Sequence, residues 1–464
     1  MKKAVIILLV PMLAQATLTP DMPGRGAQKI AMDRGEICYI PNRLDGAKYS
    51  KKDLEKELEL CAMNISTTAA VCGKVESTNP ALEFFEIAEG WTTAQMEAKG
   101  CFIQNPKAKI DSKTGKPEVD NIFKKHAKYK LSTSCSYTPS LLSYYHVSRF
   151  LGNINQVPPV VLRTVDATVH RSIGEKTVAS IKDKASLIAQ TWAGLLSILT
   201  KGAAHPKGTN VFTDDYKYSF GALQNNPSKE EKYSELYHGG SDQPTRTANF
   251  KAKNASYLRL TNSASLNSMG LSQWSQANAQ EVLKMQNIAD MILLDTMLSQ
   301  QDRLGNLHYT MEAYAVVKDA NGKTKVDKLD SLSKKDIAAG LSYPAGTLML
   351  KKMMMKDNDC GVAKENHIKN GKLLEGLKHF NPETFEKLLK LYKLINTAEG
   401  QAYFRRETAM NTTDIATFKT NVAHSVNVLV NTCKAGSLTL DLDLDSAFTG
   451  QAIPDCRTVI QANQ

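Results

Sequence analysis

The eight cysteines limit the folding of this chain more than any other sequence feature. They lie at positions 38, 61, 72, 101, 135, 360, 433 and 456 of 464 residues. An even number of cysteines without a Cys-x-x-Cys pair favours disulfides in an oxidising compartment over zinc ligation. The spacing does not fix the pairing. Because three cysteines crowd positions 38–72, we expect the N-terminal segment to be linked to itself or to the unit that follows.

The first sixteen residues have the pattern of an export signal. Two lysines precede the apolar run at 4–10, and Ala14-Gln15-Ala16 has the small-x-small pattern of a signal-peptidase site. This pattern predicts cleavage after Ala16 and a periplasmic or secreted protein. No later stretch reaches the roughly 20 uninterrupted apolar residues of a membrane helix, so we expect no membrane span.

The charge of the chain is moderately basic. The formal net charge is +11, and removal of the two lysines in the predicted signal peptide leaves 11 − 2 = +9. Lysines and arginines are spread along the chain instead of being clustered. This distribution favours a solvated basic surface over a nucleic-acid site, and we expect no nucleic-acid partner.

The hydrophobic patterns predict an α+β fold. After a signal peptide at 1–16, we expect a disulfide-bearing extension at 17–79, a small β-rich unit at 80–165 and a mostly helical region at 166–464. A polar stretch at about 201–253 is too long for an ordinary connection and is predicted to be an insertion. The strand predictions are a hairpin over 107–125, with its turn at 111–117, and a strand at 157–162. The helix predictions are 138–152, 175–199, 271–299, 382–395 and 411–434.

The segment around residue 302 is the first candidate for chemistry. A buried helix runs directly into Asp302-Arg303-Leu304-Gly305-Asn306, a short polar loop before a strand. Its carboxylate could act as a base beside a hydroxyl nucleophile, and the Asn oxygen could bind a divalent cation. The competing interpretation is a polar helix cap.

The second candidate is the acidic turn Asp357-Asn358-Asp359, which follows a strand at 347–356. A carboxylate at a strand end can hold Mg²⁺ or Mn²⁺ against a polyphosphate, because hard cations prefer oxygen ligands. The competing interpretation is an exposed turn. Cys360 comes directly after it, so we expect a disulfide that anchors the turn to the C-terminal region, with Cys433 as one candidate partner.

The order of these segments resembles the atypical secretory-pathway kinases, the family of the Golgi casein kinase and four-jointed, with the HipA and phosphatidylinositol 4-kinases as distant relatives. Residues 143–152, followed by Val157-Pro158-Pro159-Val160 and Arg163, are similar to the family's stretch from the αC helix into the next strand. Residues 120–124 resemble its strand that bears the nucleotide-binding lysine. The resemblance covers roughly residues 80–435. It implies a two-lobed kinase-like fold, with an N-lobe at 80–165 and a C-lobe at 166–464.

The resemblance also implies an activity and roles for four residues. The protein would use ATP and Mg²⁺ or Mn²⁺ to phosphorylate a hydroxyl of a protein or glycan acceptor. Lys124 would contact the nucleotide phosphates, Asp302 would be the catalytic Asp, and Asp357 would hold the metal. Asn306 corresponds less closely to the cofactor-binding Asn of the HipA and lipid-kinase loops, which lies one residue further from the Asp. The competing interpretation of Lys124 is a solvated lysine among other lysines.

Two departures from the family pattern leave alternatives open. Leu141 stands where the family has the Glu that pairs with the nucleotide lysine, so either another acid replaces it, the alignment is shifted or the protein is inactive. A glycine-rich loop is not evident, and a lone Gly100 is a weak candidate. The alternatives are a catalytically inactive kinase fold that serves as a binding or activator module, and transfer of AMP or glutamate on the same fold.

Overall fold

A computed structural model describes residues 22–107, 121–227 and 230–463. The predicted signal peptide at 1–16 and the predicted turn at 111–117 lie outside these ranges. The strands are β1 Gln28–Ala31, β2 Ile37–Ile40, β3 Ala70–Gly73, β4 Leu82–Phe85, β5 Lys125–Lys130, β6 Val160–Asp166, β7 Tyr218–Asn225, β8 Glu231–Lys232, β9 His308–Lys318, β10 Thr324–Leu329 and β11 Leu348–Met354. The helices are α1 Lys51–Cys61, α2 Thr93–Ala98, α3 Thr138–Phe150, α4 Ala167–Ser180, α5 Leu187–Lys201, α6 Gln243–Lys253, α7 Ala255–Leu260, α8 Gln276–Leu298, α9 Lys334–Ala338, α10 His367–Asn370, α11 Pro382–Ile395, α12 Ala398–Thr408, α13 Thr412–Lys434, α14 Leu444–Thr449 and α15 Cys456–Ala462.

The first half of the fold is an antiparallel seven-stranded sheet in the order β1-β2-β6-β7-β5-β4-β3. Its central strand is β7, which is buried on both faces. Phe220 and Ala222 pack toward one core, and Leu223 packs toward another with Tyr129 of β5. We call this sheet, with α4 and α5, the N-lobe.

The second half is mostly helical and surrounds α8. This helix is buried on every side from Ile288 to Leu298, because that stretch is apolar except at three positions. It packs against α13, α7, α3 and β11. The small sheet pairs β9 with β8, β10 and β11. We call the small sheet and helices α6–α15 the C-lobe, and α3 contacts both lobes. Within the described ranges, every helix is too short or too polar to cross a membrane.

The predicted α+β class is confirmed, whereas several predicted boundaries change. The helices that begin at Thr138, Pro382 and Thr412 lie where the sequence predicts them. The pattern at 175–199 is divided between α4 and α5, because a polar turn around Asp183 separates them. The predicted extension at 17–79 contributes β1, β2 and β3 to the large sheet, and the predicted insertion at 201–253 contributes its central strand β7.

Four disulfides use all eight cysteines. The pairs are Cys38–Cys61, Cys72–Cys101, Cys135–Cys360 and Cys433–Cys456. The predicted partner of Cys360 is therefore wrong. Cys360 anchors the acidic turn to Cys135, which follows β5 of the N-lobe, because the turn lies against that lobe. The partner of Cys433 is in α15, 23 residues further along the chain.

Candidate functional site

The candidate site is a cleft between the two lobes, made of two adjoining cavities. The inner cavity, of about 160 Å³, is lined by Lys74, Ser77, Thr78, Asn79, Lys130, Asp302, Asn306, Asp357, Asp359 and Cys360. The outer cavity, of about 270 Å³, is lined by Lys74, Glu76, Ser77, Lys128, Lys232, Gly305, Asn306, His308, Lys356 and Asp357. Three of the four residues that the sequence singles out, Asp302, Asn306 and Asp357, therefore meet in one place.

The loop that carries Asp302 is fixed from behind by Arg303. Helix α8 ends at Ser299 in the left-handed conformation, with φ of 53°, and the chain turns toward the cleft. Arg303 is almost fully buried, and its Nε lies 2.8 Å from Oδ2 of Asp295 in α8. Its Nη2 donates to Oδ1 of Asn358 at 2.6 Å. Because a buried guanidinium binds both groups, the Asp302 loop and the acidic turn keep one relative position.

Asp302 itself faces the cleft with 46% of its side chain exposed. Its carboxylate accepts a hydrogen bond from Nε2 of Gln243 and lies 3.9 Å from Nη1 of Arg246. The Asn306 amide donates to the Asp302 carbonyl at 3.2 Å, which closes the loop. The carboxylate is thus oriented by neutral and cationic donors and remains accessible to a ligand.

The acidic turn after β11 presents two aspartates in different environments. Asp357 is one-third exposed, whereas Asp359 is buried with its side chain 4% exposed. Burial opposes ionisation of Asp357, but Lys130, Lys128 and other lysines outweigh it and hold the pKa of Asp357 well below its usual value. Asp357 is therefore an accessible anion at neutral pH.

Asp359 forms a buried ion pair with Lys130 of β5. Lys130 Nζ lies 2.9 Å from Oδ1 of Asp359 and 3.9 Å from Oδ1 of Asp357. The hydroxyl of Ser136 donates to the other oxygen of Asp359. Burial alone would lower the pKa of Lys130. The attraction of the two aspartates is larger, so the pKa of Lys130 lies above its usual value. The ion pair connects the seven-stranded sheet of the N-lobe to the acidic turn of the C-lobe.

Two further lysines enter the cleft from the N-lobe. Lys128 projects from β5 on the same face as Lys130, since side chains two apart on a strand share a face, and Lys74 follows β3. Burial, together with Lys74 and Lys130, lowers the pKa of Lys128 to about 8 despite the opposing attraction of Asp357. Lys74 is 7% exposed, and burial and Lys130 lower its pKa as well. The N-lobe side of the cleft is therefore strongly electropositive.

The structure places Lys124 outside the cleft. Its side chain is 59% exposed and forms an ion pair with Glu86, 2.8 Å from Nζ to Oε1. Lys124 precedes β5, whereas Lys128 and Lys130 lie within that strand and line the cleft. The missed signal is the alternation in β5, where Ala127 and Tyr129 are buried in the core and Lys128 and Lys130, on the other face, line the cleft.

The structure also locates Leu141 and Gly100, the two positions at which the sequence departs from the family pattern. Leu141 lies in α3 and is fully buried, so no carboxylate reaches Lys130 from that position. The loop between β3 and β4 lines the cleft with Ser77, Thr78 and Asn79. Gly100 lies elsewhere, in a cavity of about 550 Å³ between α2, β3 and α4.

The donor set suits a metal that binds together with a phosphate. Among the described residues, no group of three or more His, Cys, Asp or Glu side chains is arranged to hold a metal ion. Mg²⁺ in nucleotide sites needs only one or two carboxylates, since phosphates and waters supply the remaining oxygens. The accessible carboxylate of Asp357 and the amide oxygen of Asn306 fit that requirement.

Comparisons with known proteins give a distant structural likeness. No family model and no curated protein matches the chain. The fold is similar to the crystal structure of the Golgi casein kinase, with a TM-score of 0.39 and 11% identity over 85% of this chain and 80% of that chain. The antiparallel sheet on one side of the cleft and the helices on the other are consistent with a two-lobed kinase-like fold.

Proposed function

We propose that the cleft binds ATP with Mg²⁺ or Mn²⁺ and transfers the terminal phosphoryl group to a hydroxyl of a protein or glycan acceptor. The observation that carries the proposal is that three distant segments bring accessible carboxylates and lysines into one cleft. Phosphoryl transfer needs these groups, since catalysis there is mainly positioning and neutralisation of charge.

Five residues of the cleft have a role in the proposed reaction. Asp302 accepts the proton of the acceptor hydroxyl, whose oxygen forms a bond to the γ-phosphorus. The bond from the γ-phosphorus to the bridging oxygen breaks, and ADP leaves. Lys130, held by Asp359, neutralises charge on the phosphates and takes the role that the family resemblance implies for Lys124. Asp357 and Asn306 would hold a divalent metal, which supplies charge neutralisation when bound.

Calorimetric titration of ATP, with and without Mn²⁺ or Mg²⁺, tests the proposed binding. We expect metal-dependent binding that Asp357→Asn weakens at least 100-fold, because the substitution removes the accessible carboxylate. Asp214→Asn is the matched control, since Asp214 is exposed on the surface and outside the cleft. Equal ATP binding by wild type and Asp357→Asn would contradict the proposed site.

A second candidate function, a kinase fold that binds but does not transfer, is favoured by Leu141 and by the Asp359–Lys130 pair. In this case the lysine is held without a carboxylate from α3, and the cleft serves recognition. Transfer of labelled γ-phosphate to the protein itself or to mixed acceptors separates the two candidates. Catalysis predicts transfer that Asp302→Asn abolishes without loss of ATP binding, and a binding module predicts no transfer by wild type.

A further inference from the structure

We propose that the outer edge of strand β3 binds an extended, acidic segment of a partner protein, which adds a strand to the seven-stranded sheet. The site is the cavity of about 550 Å³ between α2, β3 and α4, whose lining residues are distinct from those of the cleft. Recognition of a polypeptide main chain goes beyond the proposed function and needs no nucleotide.

The first observation is the hydrogen-bond pattern of β3. This strand is the last of the sheet and pairs with β4 on one side. The N–H of Lys74 donates to the carbonyl of Ala81 in the β4 segment at 2.9 Å. In an antiparallel pair, residues that exchange hydrogen bonds alternate with residues that do not. The register therefore directs the main-chain groups of Val71 and Gly73 away from β4, and both residues line the cavity.

A hydrogen bond from α2 confirms this direction. Oε1 of Glu97 accepts from the N–H of Val71 at 3.0 Å, in the place that a carbonyl of an adjoining strand would take. Within the described parts of the chain, the N–H and carbonyl of Gly73 and the carbonyl of Val71 have no hydrogen-bond partner on this edge. Three main-chain groups thus remain for a guest strand, which offers the matching donors and acceptors.

The second observation is that helices cover both faces of the sheet at this edge. Val71 packs in the core cluster on the side of α4, whereas Cys72 packs with Met96 of α2 on the other side. A Cβ at Gly73 would overlap Thr177, so α4 approaches the edge closely and this position needs glycine. A strand added at the usual spacing of about 4.8 Å would lie between the two helices.

The walls of the cavity suit an extended chain. The α2 wall consists of Ala94, Ala98 and Gly100, which have little or no side chain, and this leaves room for the side chains of a guest. Val75, which is 47% exposed, offers an apolar contact at the end of the same edge. Strand addition takes its affinity from main-chain hydrogen bonds and its specificity from such contacts with alternate side chains.

The charges at the cavity favour an acidic guest. The carboxylate of Glu97 is already engaged by the Val71 N–H and by the hydroxyl of Ser66, 3.1 Å away. Lys176 lines the α4 wall, is exposed and forms no ion pair with any described residue. A guest with Asp or Glu beside Lys176 complements this charge, and such complementarity contributes to the choice of partner.

Peptide selection against the full chain tests the site. The probe is a displayed library of random nine-residue peptides, and the selected peptides are synthesised with a fluorophore and titrated by anisotropy. We expect Ala98→Phe to weaken their binding at least tenfold, because the ring fills the space beside β3. Ala179→Phe is the matched control, since Ala179 is also exposed on a flanking helix but does not line the cavity. Equal binding by both variants, or no selected peptide, overturns the site.

A charge reversal tests the acidic character of the guest. We expect the selected peptides to carry Asp or Glu and Lys176→Glu to weaken their binding at least tenfold. Lys182→Glu changes the net charge equally at an exposed position outside the cavity, and it should leave binding unchanged. An equal loss in both variants means general attraction to a basic protein and overturns the assignment of Lys176.

Hydrogen exchange distinguishes strand addition from occupation of the cavity by side chains alone. The bound peptide should protect the amide of Gly73, measured by mass spectrometry on the peptic fragment that contains it. Methylation of alternate main-chain nitrogens of the peptide should abolish binding in one of the two possible patterns. Binding without this protection, or with both methylated peptides, overturns strand addition. These titrations contain no nucleotide, so their failure and the failure of the ATP titration are independent results.

Discussion

The two walls of the cleft differ in whether a buried cation forms an ion pair. On the C-lobe wall, Arg303 is paired with Asp295 and Asn358, and Asp295 also accepts a hydrogen bond from Tyr144 at 2.6 Å. On the N-lobe wall, Lys74 is nearly as buried but makes no ion pair among the described residues. A charge that is paired internally fixes the position of a loop, whereas a charge without a partner is available to a ligand. The first kind should therefore affect stability, and the second should affect binding.

Removal of Arg303 is the largest expected effect. Arg303→Met leaves Asp295 as a buried carboxylate without its cation, and such a change costs about 3–5 kcal/mol of unfolding free energy. The melting temperature should fall clearly, and ATP binding should weaken because the two acidic segments lose their common anchor. Differential scanning fluorimetry and calorimetry measure the two effects.

The matched control for Arg303 is Arg171, whose pair with Glu175 lies on the surface with a distance of 3.9 Å. Arg171→Met should change the unfolding free energy by less than about 0.5 kcal/mol, because exposed pairs contribute little. If the two arginine variants melted at the same temperature, the assignment of a structural role to the C-lobe wall would fail.

The pH dependence of binding is the second effect, and it depends on Lys128. The charged groups around this lysine are Lys74, Lys125, Lys130 and Asp357, with Glu83 opposite it on β4. Its pKa is lowered to about 8, so its charge is present below pH 8 and is lost above it. Affinity for ATP or phosphate should therefore fall as the pH rises above 8. The fall is at most about tenfold per pH unit, because the bound protein holds one proton more than the free protein, on Lys128.

The same lowered pKa has the opposite effect on stability. In the unfolded chain Lys128 has the ordinary lysine pKa of about 10.4. Between pH 8 and pH 10.4 the unfolded chain therefore binds more protons than the folded chain. The contribution of Lys128 to unfolding free energy therefore rises with pH over this window.

Calorimetry between pH 7 and 9.5 measures the effect of pH on binding. Lys128→Met should remove the loss of affinity above pH 8. An unchanged pH profile in that variant would falsify the assignment.

Lys74 should show a smaller effect on stability, with a sign opposite to that of Arg303. Lys74→Met replaces a buried lysine, which forms no ion pair among the described residues, by an apolar side chain of similar length. Such replacements are often neutral or stabilising, and we expect a gain of up to about 1 kcal/mol in unfolding free energy. Chemical denaturation measures it. A loss of several kcal/mol would mean that Lys74 has a structural partner, which would remove the contrast between the two walls.

Sequence reasoning recovers the C-lobe wall better than the N-lobe wall, for a physical reason. Asp302, Asn306 and Asp357 lie on short loops directly after a long apolar helix and a strand, so local pattern alone places them at element ends. The lysines lie within or beside strands of a sheet whose neighbours come from distant segments. Strand β7 reaches its central position through pairing with β5 and β6, which a polar local sequence does not reveal.

The pairing register of β5 is the other reason why the sequence predicts the N-lobe wall less well. Lys124, Lys128 and Lys130 lie an even number of positions apart, so a slip of two or four residues along β5 would keep the face of the strand and change which lysine reaches the cleft. The pairing of Glu83 with Lys128 and of Leu82 with Tyr129 between β4 and β5 settles the register, and it depends on contacts more than 40 residues apart. The disulfide from Cys360 to Cys135 is similarly a tertiary contact, because the two cysteines are 225 residues apart in the sequence.

The substitution Lys124→Met should have the smallest effect, and for that reason it is the sharpest control on the comparison. Lys124 and Lys128 lie four positions apart in the same lysine-rich segment, and removal of either changes the net charge of the protein by the same amount. Lys124 is paired with Glu86 on the surface, and such a pair is worth about 0–1 kcal/mol. We expect unchanged affinity for ATP and phosphate and a small change in melting temperature. If binding depended on net charge alone, both variants would weaken it equally, and titrations of the two variants side by side decide between the two explanations. A loss confined to Lys128→Met means that recognition depends on which lysine faces the cleft, and hence on the register of β5.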